Sequence, residues 1–139
     1  MDDSGSKLLG SLLDGNESGR PDSGLTEKII GCAFTVSNTL GCGYIEKVYE
    51  NAFAHELRKA GLRVEQQKRV DVFYDSVSVG YFDADIVVEG AVILEIKAVR
   101  ALDDAHKAQT LNYLKSTGIR LGLLINFGAP RVEIKRVAL

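Results

Sequence analysis

Two alternating segments joined by Glu89-Gly90-Ala91 constrain the fold of this 139-residue chain more than any other feature. In both segments apolar residues fall at every second position, the pattern of a pleated strand. Keeping the apolar sides together requires an odd-length loop, and Gly90 can take the positive φ that such a loop needs. The sequence predicts an antiparallel hairpin with one apolar side, made of Phe82, Ala84, Ile86, Val88, Val92, Leu94, Ile96 and Ala98.

The same register gathers charged side chains at the open end of the hairpin. Asp85 falls opposite Glu95, and Asp83 falls opposite Lys97. Two carboxylates about 4 Å apart repel by roughly 4 kcal/mol at an effective dielectric near 20. A shared proton, a basic neighbour such as Lys97 or a divalent cation can offset that repulsion. The pattern alone leaves these alternatives open, together with a solvated, charged hairpin end.

The length suits one domain, which we expect at residues 25–139. Residues 1–24 are rich in Ser, Gly and Asp and are predicted to be a disordered acidic tail. Two basic and five acidic residues give the tail a net charge of −3, which leaves +1 of the overall −2 for the domain. The tail also contains leucines that could dock a protein partner: Leu8, Leu9, Leu12 and Leu13.

Composition excludes several classes of protein. No apolar run is long enough to span a membrane, and the N-terminus lacks the pattern of a secretory signal. Cys32 and Cys42 do not form a CxxC zinc motif, and we expect both to be reduced in a cytoplasmic protein. His55 and His106 are too few and too separate for a histidine metal site. A near-neutral domain gives no strong electrostatic argument for nucleic acid, although it leaves room for a local basic groove.

The remaining periodicity predicts an α/β fold with a mixed sheet and helices packed on it. Asp103 or Asp104 is expected to cap the helix after the hairpin, and Gly118 to end it. The wholly apolar run at 121–125 predicts a strand buried on both faces. The expected order is helix 26–40, helix 44–60, strand 63–74, strand 77–88, the second hairpin strand, helix 103–117, strand 121–125 and strand 132–137.

Two helix faces carry polar residues beside apolar ones. Glu46 shares a face with Tyr49 and Phe53, so it either points into a site or caps the helix start. In the later helix, Gln109 and Tyr113 lie on the same face as His106.

Several separated motifs resemble one known family. The segment from Gly43 to Tyr49 matches the pattern Gly-x-x-Glu-x-x-Tyr that names the GxxExxY protein family. Asp85-Ile86-Val87-Val88 and Ile93-Leu94-Glu95-Ile96-Lys97-Ala98 resemble its nuclease-like core, and 112–115 and 123–128 continue the likeness. That family is placed in the PD-(D/E)XK nuclease superfamily. The resemblance implies a restriction-endonuclease-like core, α-β-β-β-α-β, here with an extra N-terminal helix and a short C-terminal strand.

The resemblance also implies an activity, metal-dependent hydrolysis of phosphodiester bonds in DNA or RNA. Mg²⁺ or Mn²⁺ would be held by Asp85, Glu95 and the Ile96 carbonyl, with Glu46 as a further metal or water ligand. Lys97 would orient the attacking water and offset charge on the phosphoryl oxygens. Gln109 and Tyr113 resemble the Gln-x-x-x-Tyr helix of recombination-type exonucleases in the superfamily, and would line the site.

Other interpretations stay open. Asp83 departs from the expected family pattern, and it could neutralise Lys97 or add a metal ligand. The chain could be a catalytically silent module that binds nucleic acid or docks a protein partner. It could also be a structural subunit of an oligomer such as a homodimer, with its acids on a solvated surface.

Overall fold

The computed structural model describes residues 23–139, so the expected tail and its leucines at 1–22 lie outside the described residues. The first helix begins at Ser23, two residues before the predicted domain boundary at residue 25. Leu25 packs against the core and Thr26 is buried. Tertiary contacts at these two positions therefore extend the helix into a segment whose Ser and Gly content resembles the tail.

Within residues 23–139, three helices and five strands follow the predicted order. They are α1 (Ser23–Leu40), α2 (Glu46–Lys59), β1 (Val64–Tyr74), β2 (Val77–Val88), β3 (Val92–Lys97), α3 (Asp104–Thr117), β4 (Leu121–Asn126) and β5 (Glu133–Ala138). This is the predicted mixed α/β architecture, with the extra N-terminal helix and the short C-terminal strand. None of these helices is both long and apolar enough to cross a membrane.

The strands form one mixed sheet in the order β1-β2-β3-β4-β5. Neighbouring strands are antiparallel except β3 and β4, which are parallel and are connected through α3. β1 lies at one edge of the sheet, and none of its residues is fully buried. All six residues of β4 are buried, which confirms the prediction from its continuous apolar run.

The two faces of the sheet carry separate cores. The larger core packs α1 and α2 against one face, and its sheet residues include Leu94, Ile96 and Ile125. The smaller core packs α3 against the other face through Leu114, with Val87 and Ile93 beneath it. Asp103 caps α3 by accepting from the His106 N–H at 2.9 Å, and its own N–H donates to Nδ1 of His106 at 3.2 Å. His106 is therefore a capping residue.

The central hairpin has the predicted register. Val88 pairs with Val92, which leaves the three-residue loop Glu89–Ala91, and Gly90 has a φ of +61°. Val92, Leu94 and Ile96 all lie in the α1–α2 core, as expected. The other strand differs from the prediction.

Phe82 and Ala84 do not lie on the same face as Ile86 and Val88. They belong to the core beneath α3, so the prediction of one continuous apolar side on β2 was wrong. The cause is an interruption in the β1–β2 ladder. Gln66 of β1 pairs with Ile86 of β2, and Lys68 pairs with Ala84 in the same register. Between these two pairs, Gln67 and Asp85 do not pair with each other.

Gln67 has a φ of +51°, in the left-handed region that residues other than glycine seldom adopt. A residue in this conformation leaves the regular pleat, so alternation is inverted beyond it. The interruption therefore moves Phe82 and Ala84 to the α3 face and places Asp85 at the point of inversion.

Candidate functional site

The predicted contact between the two acids of the hairpin is present. The backbone N–H of Asp85 donates to Oε2 of Glu95 at 3.3 Å, and the Ile96 N–H donates to Oδ2 of Asp85 at 2.8 Å. In a regular ladder such an N–H bonds to a carbonyl of the neighbouring strand. Here the Asp85 carboxylate takes that place, because regular β2–β3 pairing ends one residue earlier, at Ile86 and Leu94.

Glu95 is buried, with 4% of its surface exposed. Burial raises its pKa from 4.5 to about 9, and the nearby charge of Asp85 and a hydrogen bond between the two side chains add to the increase. The hydrogen bond from the Asp85 backbone N–H and the positive charge of Lys97 lower this pKa, but they do not cancel the increase. In the metal-free protein Glu95 is therefore protonated at neutral pH. A proton on one acid is one of the ways in which the repulsion between the two carboxylates can be relieved.

The end of β3 is held by the loop that follows β4. Asn126 is fully buried, and its side chain accepts from the Val99 N–H and donates to the Val99 carbonyl, both at 2.9 Å. The backbone of Gly128 packs so closely against Val99 that an added Cβ would lie 2.4 Å from the Val99 carbonyl oxygen. The half-buried Lys97 precedes this clamped segment. Because both backbone groups of a strand residue point to one edge, the Ile96 carbonyl faces β2 and the Asp85 carboxylate.

Helix α3 packs on the face of the sheet that lies opposite α1 and α2, and it brings Tyr113 close to the acids. Its ring stacks on Phe82 at a centroid distance of 3.8 Å, and its side chain is hydrogen-bonded with Gln109. Burial raises the pKa of Tyr113, and the charges of Glu95 and Asp85 raise it further. The phenol thus stays protonated beside the acid pair. The inversion of β2 makes this possible, since it turns Phe82 toward α3.

Helix α2 does not present Glu46 to the acids. The Glu46 side chain is exposed, and it takes part in none of the hydrogen bonds or ion pairs found within residues 23–139. One turn later, Glu50 is buried with 4% of its surface exposed. Its Oε1 accepts from Nε2 of Gln67 at 2.7 Å, and the same Nε2 lies 3.3 Å from Oδ1 of Asp85. Glu50 is therefore the α2 carboxylate linked to the site.

The motif from Gly43 to Tyr49 holds the start of α2 in place through contacts of Tyr49. Tyr49 is fully buried and stacks on Phe127, with parallel ring planes and centroids 4.9 Å apart. Its hydroxyl donates to the Gly41 carbonyl and accepts from the Tyr44 N–H. The tyrosine thereby fixes the loop before α2 and the orientation of the helix turn that carries Glu50.

Asp83 lies outside the described β2–β3 pairing. It pairs with Arg69 of β1 and is exposed, so the contact predicted between Asp83 and Lys97 is not among those found in the described residues. The register prediction assumed regular pairing beyond Asp85, where the two strands have stopped pairing.

The acids fit a hydrated divalent cation rather than a fully protein-coordinated one. No cluster of three or more His, Cys, Asp or Glu side chains suited to a metal exists among residues 23–139. Mg²⁺, however, commonly binds through one or two carboxylates and retains several waters. In the same part of the chain Oε1 of Glu95 is buried and has no hydrogen-bond partner. A buried oxygen left unsatisfied in this way is available to a cation.

The sheet, its flanking helices and the acid pair are features of a nuclease-type domain, and sequence comparison agrees. Residues 23–137 match the family model described as the PD-(D/E)XK nuclease superfamily. The chain belongs to this superfamily, whose nucleases generally use divalent metals. The narrower resemblance to the GxxExxY family stays a prediction. Among curated proteins, no sequence matches the chain significantly.

A solved structure supports the fold. The crystal structure of the protein SSO0001 is similar to this chain with a TM-score of 0.52 at 17% sequence identity. The match covers 84% of this chain and 58% of SSO0001, so the chain spans little more than half the length of that protein. At this identity the likeness concerns the fold alone.

Two site residues were missed by reasoning from the sequence. Glu50 was overlooked because Glu46 carried the motif, although Glu50 lies next to the buried Tyr49 and on the same side of α2 as Glu46. Gln67 lies within the strand predicted at 63–74, and the prediction gave it no role in a site. No local pattern marks its left-handed backbone, because that conformation depends on contacts with α2 and β2.

Proposed function

We propose that this domain is a divalent-metal-dependent nuclease that hydrolyses phosphodiester bonds of DNA or RNA. The observation that carries the proposal is the contact of the half-buried Asp85 with the buried Glu95, whose Oε1 has no hydrogen-bond partner among residues 23–139. Membership of the PD-(D/E)XK superfamily supports it independently. Mg²⁺ or Mn²⁺ would be held by Asp85, Glu95 and the Ile96 carbonyl, with waters in the remaining positions.

A bound divalent ion would supply a Lewis acid for the phosphoryl oxygens and a more acidic water. The side chains of this chain supply the rest. Lys97 carries a positive charge beside Glu95, where it orients the attacking water and offsets negative charge that develops on the phosphoryl group. Tyr113, protonated and hydrogen-bonded with Gln109, would supply a hydrogen-bond donor beside the acids when a substrate is bound.

The test is cleavage of single- and double-stranded DNA and RNA with Mn²⁺, with Mg²⁺ and with a chelator. We expect cleavage only with a divalent ion, and its loss in Glu95→Gln and Lys97→Met. The matched controls are Glu65→Gln and Lys68→Met, which remove an exposed ion pair of β1. Metal-independent cleavage, or cleavage unchanged by Glu95→Gln, would contradict the proposal.

A second candidate function is a nuclease-fold module that docks a partner without cleaving. One observation favours it, an exposed apolar surface at the end of the β1–β2 hairpin, made of Phe73, Tyr74, Val77, Val79 and Tyr81. Binding of Mn²⁺ at Asp85 and Glu95 with no turnover on any of the four substrates would support this candidate over the nuclease.

A further inference from the structure

Gln67 joins two layers of the protein through one amide group. Its Nε2 lies 2.7 Å from Oε1 of Glu50 on α2 and 3.3 Å from Oδ1 of Asp85 on β2. A side-chain amide has two N–H donors, so both are directed at carboxylates. The left-handed backbone at Gln67 is what allows consecutive residues of β1, Gln66 and Gln67, to reach the same helix residue.

Glu50 is an anchor for this amide rather than a metal ligand. Oε1 accepts from Gln67 and from Nζ of Lys47, and Oε2 accepts from Gln66 at 2.7 Å and from the same lysine at 3.3 Å. A carboxylate offers about four acceptor positions, and here all of them are used. The helix therefore holds Gln67 firmly through a buried, saturated carboxylate.

Asp85 is held on both of its oxygens as a result. Oδ1 faces Gln67, and Oδ2 accepts from the Ile96 N–H at 2.8 Å. These two contacts use about two of the four acceptor positions of the carboxylate and leave the others for further partners, a cation among them. A side chain fixed at both oxygens cannot rotate away from Glu95, so the geometry of the acid pair is set before a cation arrives.

We infer that Gln67 is a positioning residue, which transmits the position of α2 to the metal-binding carboxylate of Asp85. The inference rests on the proposed function and adds to it a residue outside the set that the sequence suggested. The backbone strain at Gln67 supports the inference. A non-glycine residue at positive φ is retained only where surrounding contacts hold it, often at functional sites. The strain is placed at the residue of β1 whose side chain bonds the Asp85 carboxylate.

The variant that tests this is Gln67→Gly, because glycine adopts a φ of +51° without strain and lacks the side chain that carries the amide. The matched control is Gln66→Ala, which also loses a hydrogen bond to Glu50 but none to Asp85. Gln67→Asn is a second variant, since asparagine tolerates the left-handed conformation but its shorter amide cannot span both carboxylates.

Calorimetric titration with Mn²⁺ gives the first readout. We expect Gln67→Gly to weaken binding by roughly 10- to 100-fold, as is typical when a hydrogen-bond partner of a metal ligand is removed, and Gln66→Ala to bind as wild type does. The thermal midpoints of both variants are measured to exclude unfolding. Equal weakening in the two variants, or no weakening in Gln67→Gly, would overturn the inference.

Hydrogen exchange of the Ile96 N–H in metal-free protein gives a second readout that does not depend on the proposed function. We expect Gln67→Gly to lower its protection by about tenfold or more, with no change in Gln66→Ala. Unchanged protection in Gln67→Gly overturns the inference even if wild type binds Mn²⁺. Absence of Mn²⁺ binding in wild type, with the expected loss of protection, would instead refute the proposed metal site and leave the positioning of Asp85 standing.

Discussion

The N–H of Asp85 donates to Oε2 of Glu95 at the place where β2 and β3 cease to pair. The two acids therefore meet where some backbone groups of β2 and β3 have no partner on the neighbouring strand. The Asp85 carboxylate accepts the hydrogen bond of the Ile96 N–H in place of a backbone carbonyl. An acid pair that replaces backbone partners in this way is part of the sheet, which explains how its geometry is fixed and how Glu95 can be buried.

The raised pKa of Glu95 makes stability depend on pH in a defined direction. The unfolded chain ionises this group near pH 4.5, whereas the folded metal-free protein keeps it protonated up to about pH 9. Between these values the folded state binds one more proton, so the free energy of unfolding falls by up to about 1.4 kcal/mol per pH unit. Urea unfolding with a chelator should show this fall, and Glu95→Gln should remove it and be the more stable protein at pH 8.

The matched control for this pH series is Glu65→Gln, which removes an exposed carboxylate of β1. It should keep the wild-type slope. Parallel curves for wild type and Glu95→Gln would show that Glu95 is ionised in the folded protein.

Binding of Mn²⁺ should release a proton. Glu95 is protonated at pH 7 because its pKa is about 9, and a carboxylate must be deprotonated to coordinate a metal. Calorimetry at pH 7 in two buffers of different ionisation enthalpy should therefore give apparent binding enthalpies that differ by the heat of about one proton per ion. Enthalpies that do not depend on the buffer would mean that Glu95 is not the ligand.

Replacing Glu46 and Glu50 of α2 separately should distinguish their roles. Glu50→Ala removes the charged acceptor that Lys47, Gln66 and Gln67 share, so we expect a loss of about 1–3 kcal/mol in unfolding free energy together with weaker Mn²⁺ binding. Glu46→Ala should change neither, because its side chain is exposed. If Glu46→Ala weakens Mn²⁺ binding more than Glu50→Ala, Glu46 is the helix ligand that the family resemblance implied.

Tyr113 should contribute through its hydroxyl rather than its ring. Tyr113→Phe keeps the stack on Phe82, so thermal stability should be unchanged, while cleavage should fall by roughly tenfold or more because a hydrogen-bond donor beside the acids is lost. Tyr113→Leu should lose both cleavage and stability. Full activity in Tyr113→Phe would assign the residue to packing alone.

Gly128 should tolerate no side chain. An added Cβ would lie 2.4–2.6 Å from backbone atoms of Ala98 and Val99, so Gly128→Ala must displace the segment after Lys97 and should cost about 1–3 kcal/mol. Gly31→Ala is the control. That glycine lies in α1 with open space around it, so alanine should stabilise the protein by about 0.5–1 kcal/mol. Urea unfolding measures both, and equal effects would contradict the close approach at Gly128.

The order of elements could be read from the sequence because each signal is local. Alternation, apolar periodicity, the cap at Asp103 and the glycine at 118 act over a few residues, and the structure has all of them. The contact of Asp85 with Glu95 also followed from local pattern, since one register joins two strands across a three-residue loop.

The sequence failed where alternation is interrupted. Reading β2 as one regular strand placed Phe82 beside Ile86, whereas they lie on opposite faces of the sheet. The left-handed conformation of Gln67 causes the inversion, and it is maintained by Glu50, which lies 17 residues earlier in the chain. No short-range preference of a glutamine encodes that contact.

The amino-acid sequence by itself determined the helices and strands, the hairpin register and the pairing of two acids, because each depends on residues near one another in the chain. Tertiary structure alone decided that Glu50 rather than Glu46 is linked to the pair, that Gln67 joins them, and that Tyr113 reaches the acids from the other face. These arrangements arise only when the helices pack on the sheet. Packing buries some polar groups, and a buried polar group is stable only where hydrogen bonds from distant parts of the chain replace those to water.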